Sequence, residues 1–178
     1  MKRTLFVAAL VGAVLAGVVR PASAQAVSIQ ADVLKDWTSL KDTMMKIADA
    51  LPEDKFTYKA TPAERNFGEQ ILHVAQVNVM LIGALGGKAT APKFDAKATK
   101  KADIVKAMAD TFDYGTAVIK EQTDQTMTAA APAAPPFLGP STRARVMYGL
   151  VGHTWDIYGQ MVVYLRLNGA VPPASQRP

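Results

Sequence analysis

From Gln25 onward no stretch of useful length alternates apolar and polar residues with period two, whereas four stretches repeat apolar residues every three or four positions. That second period marks amphipathic helices, so the chain is expected to build no sheet. Ala31 to Ala50 puts Val33, Leu34, Trp37, Leu40, Met44 and Ile47 on one stripe, continued by Leu51 and stopped at Pro52. Asn66 is a good N-cap for a second helix, and Glu69 three residues on can complete a capping box. Phe67, Ile71, Leu72, Val74, Ala75, Asn78, Val79 and Ile82 form its broad buried face, and Gly86-Gly87 ends it. A third helix is expected from Ala102 to about Met127, with Ile104, Val105, Met108, Phe112, Gly115, Val118 and Ile119 as its buried edge. The fourth starts behind a Ser141 or Thr142 cap and runs to Asn168. There Gly169 can take the left-handed conformation that closes a helix, and Pro172-Pro173 cannot continue one. The prediction is an all-α four-helix bundle.

The connections offer little chemistry. Phe56 to Arg65 reads as an irregular turn. Lys88 to Lys101 holds five lysines among alanine, threonine and aspartate, the composition of a solvated linker, and is assigned no function. Ala129 to Pro140 is a Pro/Ala loop. Trp37 and Trp155 are expected to anchor the core or its edge.

Met1 to Ala24 reads as an export signal: Lys2 and Arg3 lead an apolar run from Leu5 to Val19, and Ala22-Ser23-Ala24 is an A-x-A cleavage site. Residues 25–178 are then the bundle domain, exported to a periplasm or the medium with no membrane anchor after cleavage. Losing Lys2, Arg3 and Arg20 but no acid lowers the formal charge from +5 to +2. With no Arg-rich stripe and no cluster of stacking aromatics, a nucleic-acid partner is not expected. The chain contains no cysteine, which excludes disulfides and a thiolate nucleophile or metal ligand of its own.

There is no Gly-rich phosphate loop, G-x-S-x-G elbow or H-E-x-x-H motif. The two histidines, His73 on the second helix and His153 on the fourth, are the residues to watch. Counting back from Tyr164 in helical steps gives Gln160, Ile157, His153, Gly149 and Val146, so His153 is expected to face inward. Two inward histidines on facing helices are the minimum for a metal site in a bundle. The plainer reading is a pair of core histidines, each bonded to a backbone carbonyl. The spacing leaves both readings open.

Arg65-Asn66-Phe67-Gly68-Glu69-Gln70-Ile71-Leu72-His73 resembles the helix-two signature of the DinB family of DinB/YfiT-like metalloenzymes, and His153-Thr154-Trp155-Asp156-Ile157-Tyr158-Gly159-Gln160 is similar to its helix-four signature. The resemblance covers essentially the whole chain after the signal. It implies a four-helix bundle holding a divalent metal on three histidines, with relatives that act as thiol-dependent S-transferases or isomerases. His73 and His153 align with two of those ligands. The third, one turn beyond His153, falls on Ile157, which cannot bind a metal. Asp156 is a candidate replacement but is rotated away from the Ile157 direction. Two neutral imidazoles alone hold Zn²⁺ or Ni²⁺ weakly, so tight binding of Zn, Ni or Mn is not expected. The chain is read as a bundle with a degenerate metal site at His73 and His153, binding an unknown small molecule or partner. The alternative is a metal-dependent hydrolase or thiol S-transferase, for which a second copy of the chain could supply the missing ligand.

Overall fold

The computed structural model describes residues 27–176. The export signal expected at Met1 to Ala24 lies outside the described residues. The helices are α1 (Ile29–Asp49), α2 (Phe67–Ala84), α3 (Lys101–Lys120), the short α4 (Asp124–Thr128) and α5 (Arg143–Leu167). Among the described residues there is no strand, only an isolated bridge between Ala130 and Thr142. The four long helices form the expected bundle, α1 and α2 each packing against both α3 and α5. No described helix is long and apolar enough to cross a membrane.

Local chemistry sets the helix ends. Asn66 and Glu69 form the capping box, with Glu69 N–H donating to Asn66 Oδ1 at 2.8 Å and Asn66 N–H to Glu69 Oε2 at 2.7 Å. Thr142 rather than Ser141 caps α5. At its far end Gly169 sits at φ +71°, Ala170 N–H donates to Leu165 O, and Gly169 N–H donates to Arg166 O, the paired bonds of a Schellman close.

The third helix stops short of Met127. It ends at Lys120, and after a break Thr123 and Thr126 form a second capping box that starts α4. The segment at the break is held elsewhere. Glu121 accepts from the Lys88 and Ala89 amides, and Gln122 Nε2 donates to Gly86 O, so both grip the exit of α2. Asp124 accepts from Ser28 Oγ and the Gln30 amide, fixing the start of α1.

Helices α2 and α3 run in the same direction: Gly68 faces Ile104 near their starts, and Asn78 bonds Thr111 further along. The lysine-bearing segment between them must therefore travel back along α2, about 27 Å for its 18 residues. It is a crossover as well as a linker. Lys101 at its end donates from Nζ to Leu51 O at 2.8 Å and Asp49 O at 3.3 Å, supplying partners for carbonyls left open where α1 ends. Arg143 does the same for α2, donating from Nε to Leu85 O at 2.6 Å.

The core follows the predicted stripes closely: Trp37, Leu40, Met44, Ile47 and Leu51 are buried, as are Phe67, Ile71, Leu72, Val74, Ala75, Asn78 and Ile82. Trp155 departs from expectation and is 46% exposed. Two residues from both His153 and Ile157, it points about 200° away round the helix and packs edge-on against Tyr158.

Candidate functional site

The site forms along the seam between α2 and α5, near the start of α2. There the first backbone donors of α2 are taken up locally: Phe67 N–H donates to Tyr58 O at 3.1 Å and Gly68 N–H to Phe56 O at 2.9 Å. The turn at 56–58 is thus laid over the helix start. From α5, buried Tyr164 donates its hydroxyl to Arg65 O at 2.5 Å, fixing the residue just before the cap.

Further along the seam the helices are joined by polar pairs. Gln70, fully buried, donates from Nε2 to Gln160 Oε1 at 2.9 Å, and Gln160 in turn donates from Nε2 to Asp156 Oδ2 at 3.0 Å. The next pair is His73 and His153, their Nε2 atoms 3.0 Å apart and their rings edge-to-face. Residues 70 and 73 on α2 pair with 160 and 153 on α5, so the helices are antiparallel and Ile157 lies on α5 between the two polar pairs. Ile157 is buried, 3% exposed.

The two histidines meet, as their alignment requires, but His153 is only half-buried, at the edge of a stripe whose buried members are Val146, Leu150, Thr154, Ile157, Met161 and Tyr164. One proton lies between the two Nε2 atoms, and burial favours one placement of it. His153 Nδ1 is buried with no hydrogen-bond partner. A bare acceptor there costs less than an unpaired N–H, because buried orphan donors are the rarer case in proteins. We therefore assign His153 Nε2–H as the donor to His73 Nε2, which puts the one ring proton of neutral His73 on Nδ1. Burial, the nearby Arg65 charge and His153 push the His73 pKa down to about 4. Burial also lowers that of His153, against the opposing pull of Asp156 and with Arg65 adding to the lowering. The pair is neutral at pH 7.

A sequence model of the DinB superfamily matches residues 37–161 of this chain. The chain belongs to the DinB superfamily. Among solved structures it resembles a DinB-like protein from Bacillus cereus ATCC 10987, at 20% identity and a TM-score of 0.70 over 82% of this chain and 96% of that one. A DinB-like protein from Bacillus subtilis aligns at 13% identity and a TM-score of 0.62, over 82% of this chain and 99% of that one. At these identities the likeness speaks for the fold alone. No curated protein matches.

The resemblance of the two signatures to those of DinB metalloenzymes implies a three-histidine metal. Here the aligned positions supply two imidazoles and a hydrocarbon. Among the described residues no three His, Cys, Asp or Glu side chains come together in a group able to hold a metal ion. Asp156, weighed as a replacement ligand, joins no such group and accepts from Gln160. Metal-bound imidazoles usually donate from their second nitrogen to an acceptor, and His153 Nδ1 has none. The donor set does not fit the three-histidine centre.

Two participants escaped the sequence reading. Gln70 is one turn before His73, and a glutamine on an otherwise apolar face was the available signal. Arg65 lies with Lys59 and Glu64 in the wall of an open cleft of about 410 Å³ that also includes His73. Arg65 opens the stretch that resembles the helix-two signature, but its place in the cleft is not legible there, because the cleft is assembled from α2 and the two segments flanking it.

Proposed function

We propose that this protein is an exported DinB-superfamily bundle whose metal position has been closed and which acts by binding a small molecule rather than by metal chemistry. One observation carries the reading: Ile157 is buried at the third ligand position while His73 and His153 are hydrogen-bonded to each other. A neutral imidazole pair satisfies part of its own bonding capacity, and a buried isoleucine beyond it disfavours the charged forms. Both effects suit a site without a metal.

A divalent-metal-dependent hydrolase or thiol S-transferase is the competing reading. It draws on the convergence of the two Nε2 atoms and needs a third ligand from outside the described residues, such as a second copy of the chain. Elemental mass spectrometry of the mature protein, prepared without a His tag and dialysed after exposure to Zn²⁺, Ni²⁺ or Mn²⁺, separates the two. The native protein is expected to retain far less than one ion per chain and Ile157→His to retain more. Near-stoichiometric metal in the native protein, lost in His73→Ala, would overturn the proposal.

A further inference from the structure

The cleft that includes His73 does not end at its polar wall. A second cavity of about 200 Å³ adjoins it between the start of α2, the 56–57 turn and the returning crossover. Glu69, Leu72 and Ala96 line both, so the two are neighbours along one groove with unlike ends. The smaller end is lined by Phe56, Leu72, Ala98 and Ile104, with Thr57, Asn66, Lys97 and Thr99 at the same cavity. Gly68 belongs to the same wall. A Cβ there would come within 3.0 Å of Ile104 Cδ1, so a larger residue would press on that side chain.

At the polar end the charges are not cancelled in place. Glu69 is engaged by the capping box. Arg65 belongs to none of the ion pairs found among the described residues, although Glu64 and Glu69 line the same cleft. Its backbone is pinned by Tyr164 on one side and by the Asn66 cap on the other, which fixes the base of a side chain whose charge reaches both histidines. Lys59 stands in the same wall, and with the tautomers assigned above His73 keeps an Nδ1–H outside its bond to His153. One end offers Lys59, Arg65 and the His73 N–H, opposed by Glu64 while Glu69 is held in the capping box, and the other end is the more apolar of the two; together they suit an occupant with an anionic head and a short apolar tail.

We propose that this groove binds a small amphipathic monocarboxylate, its carboxylate held by Arg65 with Lys59 and His73, and its hydrocarbon tail in the cavity between Phe56, Leu72, Ala98 and Ile104. The tail is short because the cavity is small; a long lipid chain does not fit. This inference rests on the reading of a metal-free histidine pair, since a metal on His73 would take the place of the carboxylate.

The test is calorimetric titration of the mature protein, in EDTA, with straight-chain carboxylates from acetate to octanoate and with the matching primary amides. Affinity is expected to rise about fourfold per added methylene until the cavity is full and then level off. The amides should bind roughly tenfold more weakly or worse, because they lack the charge-assisted bonds. Arg65→Gln should reduce the acids to the level of the amides. Ala98→Leu should shorten the chain at which affinity levels off, with circular dichroism verifying that both variants are folded. Acids and amides binding alike, Arg65→Gln without effect, or a metal-free protein that binds none of the series would each overturn the groove assignment while leaving the closed-site reading to its own test. Binding that vanishes in EDTA and returns with Zn²⁺ would place the carboxylate on a metal and overturn both.

Discussion

Along α1 and α3 the bundle is closed by shape, whereas along α2 and α5 it is closed by paired polar groups. Trp37 lies flat enough on α3 that a Cβ on Gly115 would sit 2.5 Å from the indole, its Nε1–H donates to Phe112 O at 2.9 Å, and its ring stacks at a tilt on Phe112. Every polar atom of that contact is satisfied by the act of packing. The α2–α5 seam carries Tyr164 on Arg65 O, Gln160 on Gln70, and His153 on His73, and it leaves Gln70 Oε1 and His153 Nδ1 buried without partners. An unpaired buried polar atom costs about 1–3 kcal/mol, so a bundle optimised for stability alone would not keep two of them in one seam. Asn78 Oδ1, on the face of α2 towards α3, is also buried without a partner, so the contrast is between the α1–α3 contact and the faces of α2.

If that division is right, substitutions on the two sides should differ in size and even in sign. Trp37→Ala should have the largest effect, about 3–5 kcal/mol of unfolding free energy in urea denaturation, since it empties a fully buried site. Gly115→Ala adds one methyl group yet should cost about 1–3 kcal/mol, because the indole has nowhere to retreat. On the other seam Gln70→Leu should be neutral or stabilising by up to about 1 kcal/mol: it removes the orphan oxygen and keeps the volume, and Gln160, half-buried, can turn to water. A loss as large as that of Trp37→Ala would mean the polar seam is structural and would break the comparison.

A further effect is one of pH. Unfolded His73 takes up a proton near pH 6.5, whereas in the folded protein it does so only near pH 4. Between those values the unfolded state binds more protons, so the stability contribution is present above pH 6.5 and is lost as pH falls towards 4. Denaturation midpoints measured from pH 7 to 4 should fall, and the slope should be shallower in His73→Gln. A midpoint that rises over that range would reverse the assigned protonation.

How much of this was legible in the sequence follows the range of the interactions. The capping box at Asn66, the close at Gly169 and the buried stripes depend on residues within a turn or two, and they stand where the sequence puts them. The break after Lys120 was missed because an uninterrupted helical sequence runs through it, and what ends the helix is the grip of Glu121 and Gln122 on α2. Lys101 looked like one more solvated lysine, yet its role is set by where α1 ends, about fifty positions earlier. At the site, the meeting of His73 with His153 was visible through resemblance to the DinB signatures. The Gln70 to Gln160 bond and the groove were not, since both arise from the register of α5 against α2 and from the path of the crossover.

The claim at the centre of this account is that the histidine pair is bonded to itself. Nitrogen-15 NMR of the imidazoles, recorded at pH 7 before and after one equivalent of Zn²⁺, reports it directly. The predicted spectrum has both rings neutral, His153 protonated at Nε2 and His73 at Nδ1, and it does not change when zinc is added. Loss of the Nε2 proton with both Nε2 signals moving to metal-bound positions at one equivalent would contradict the account and favour the metal-dependent reading.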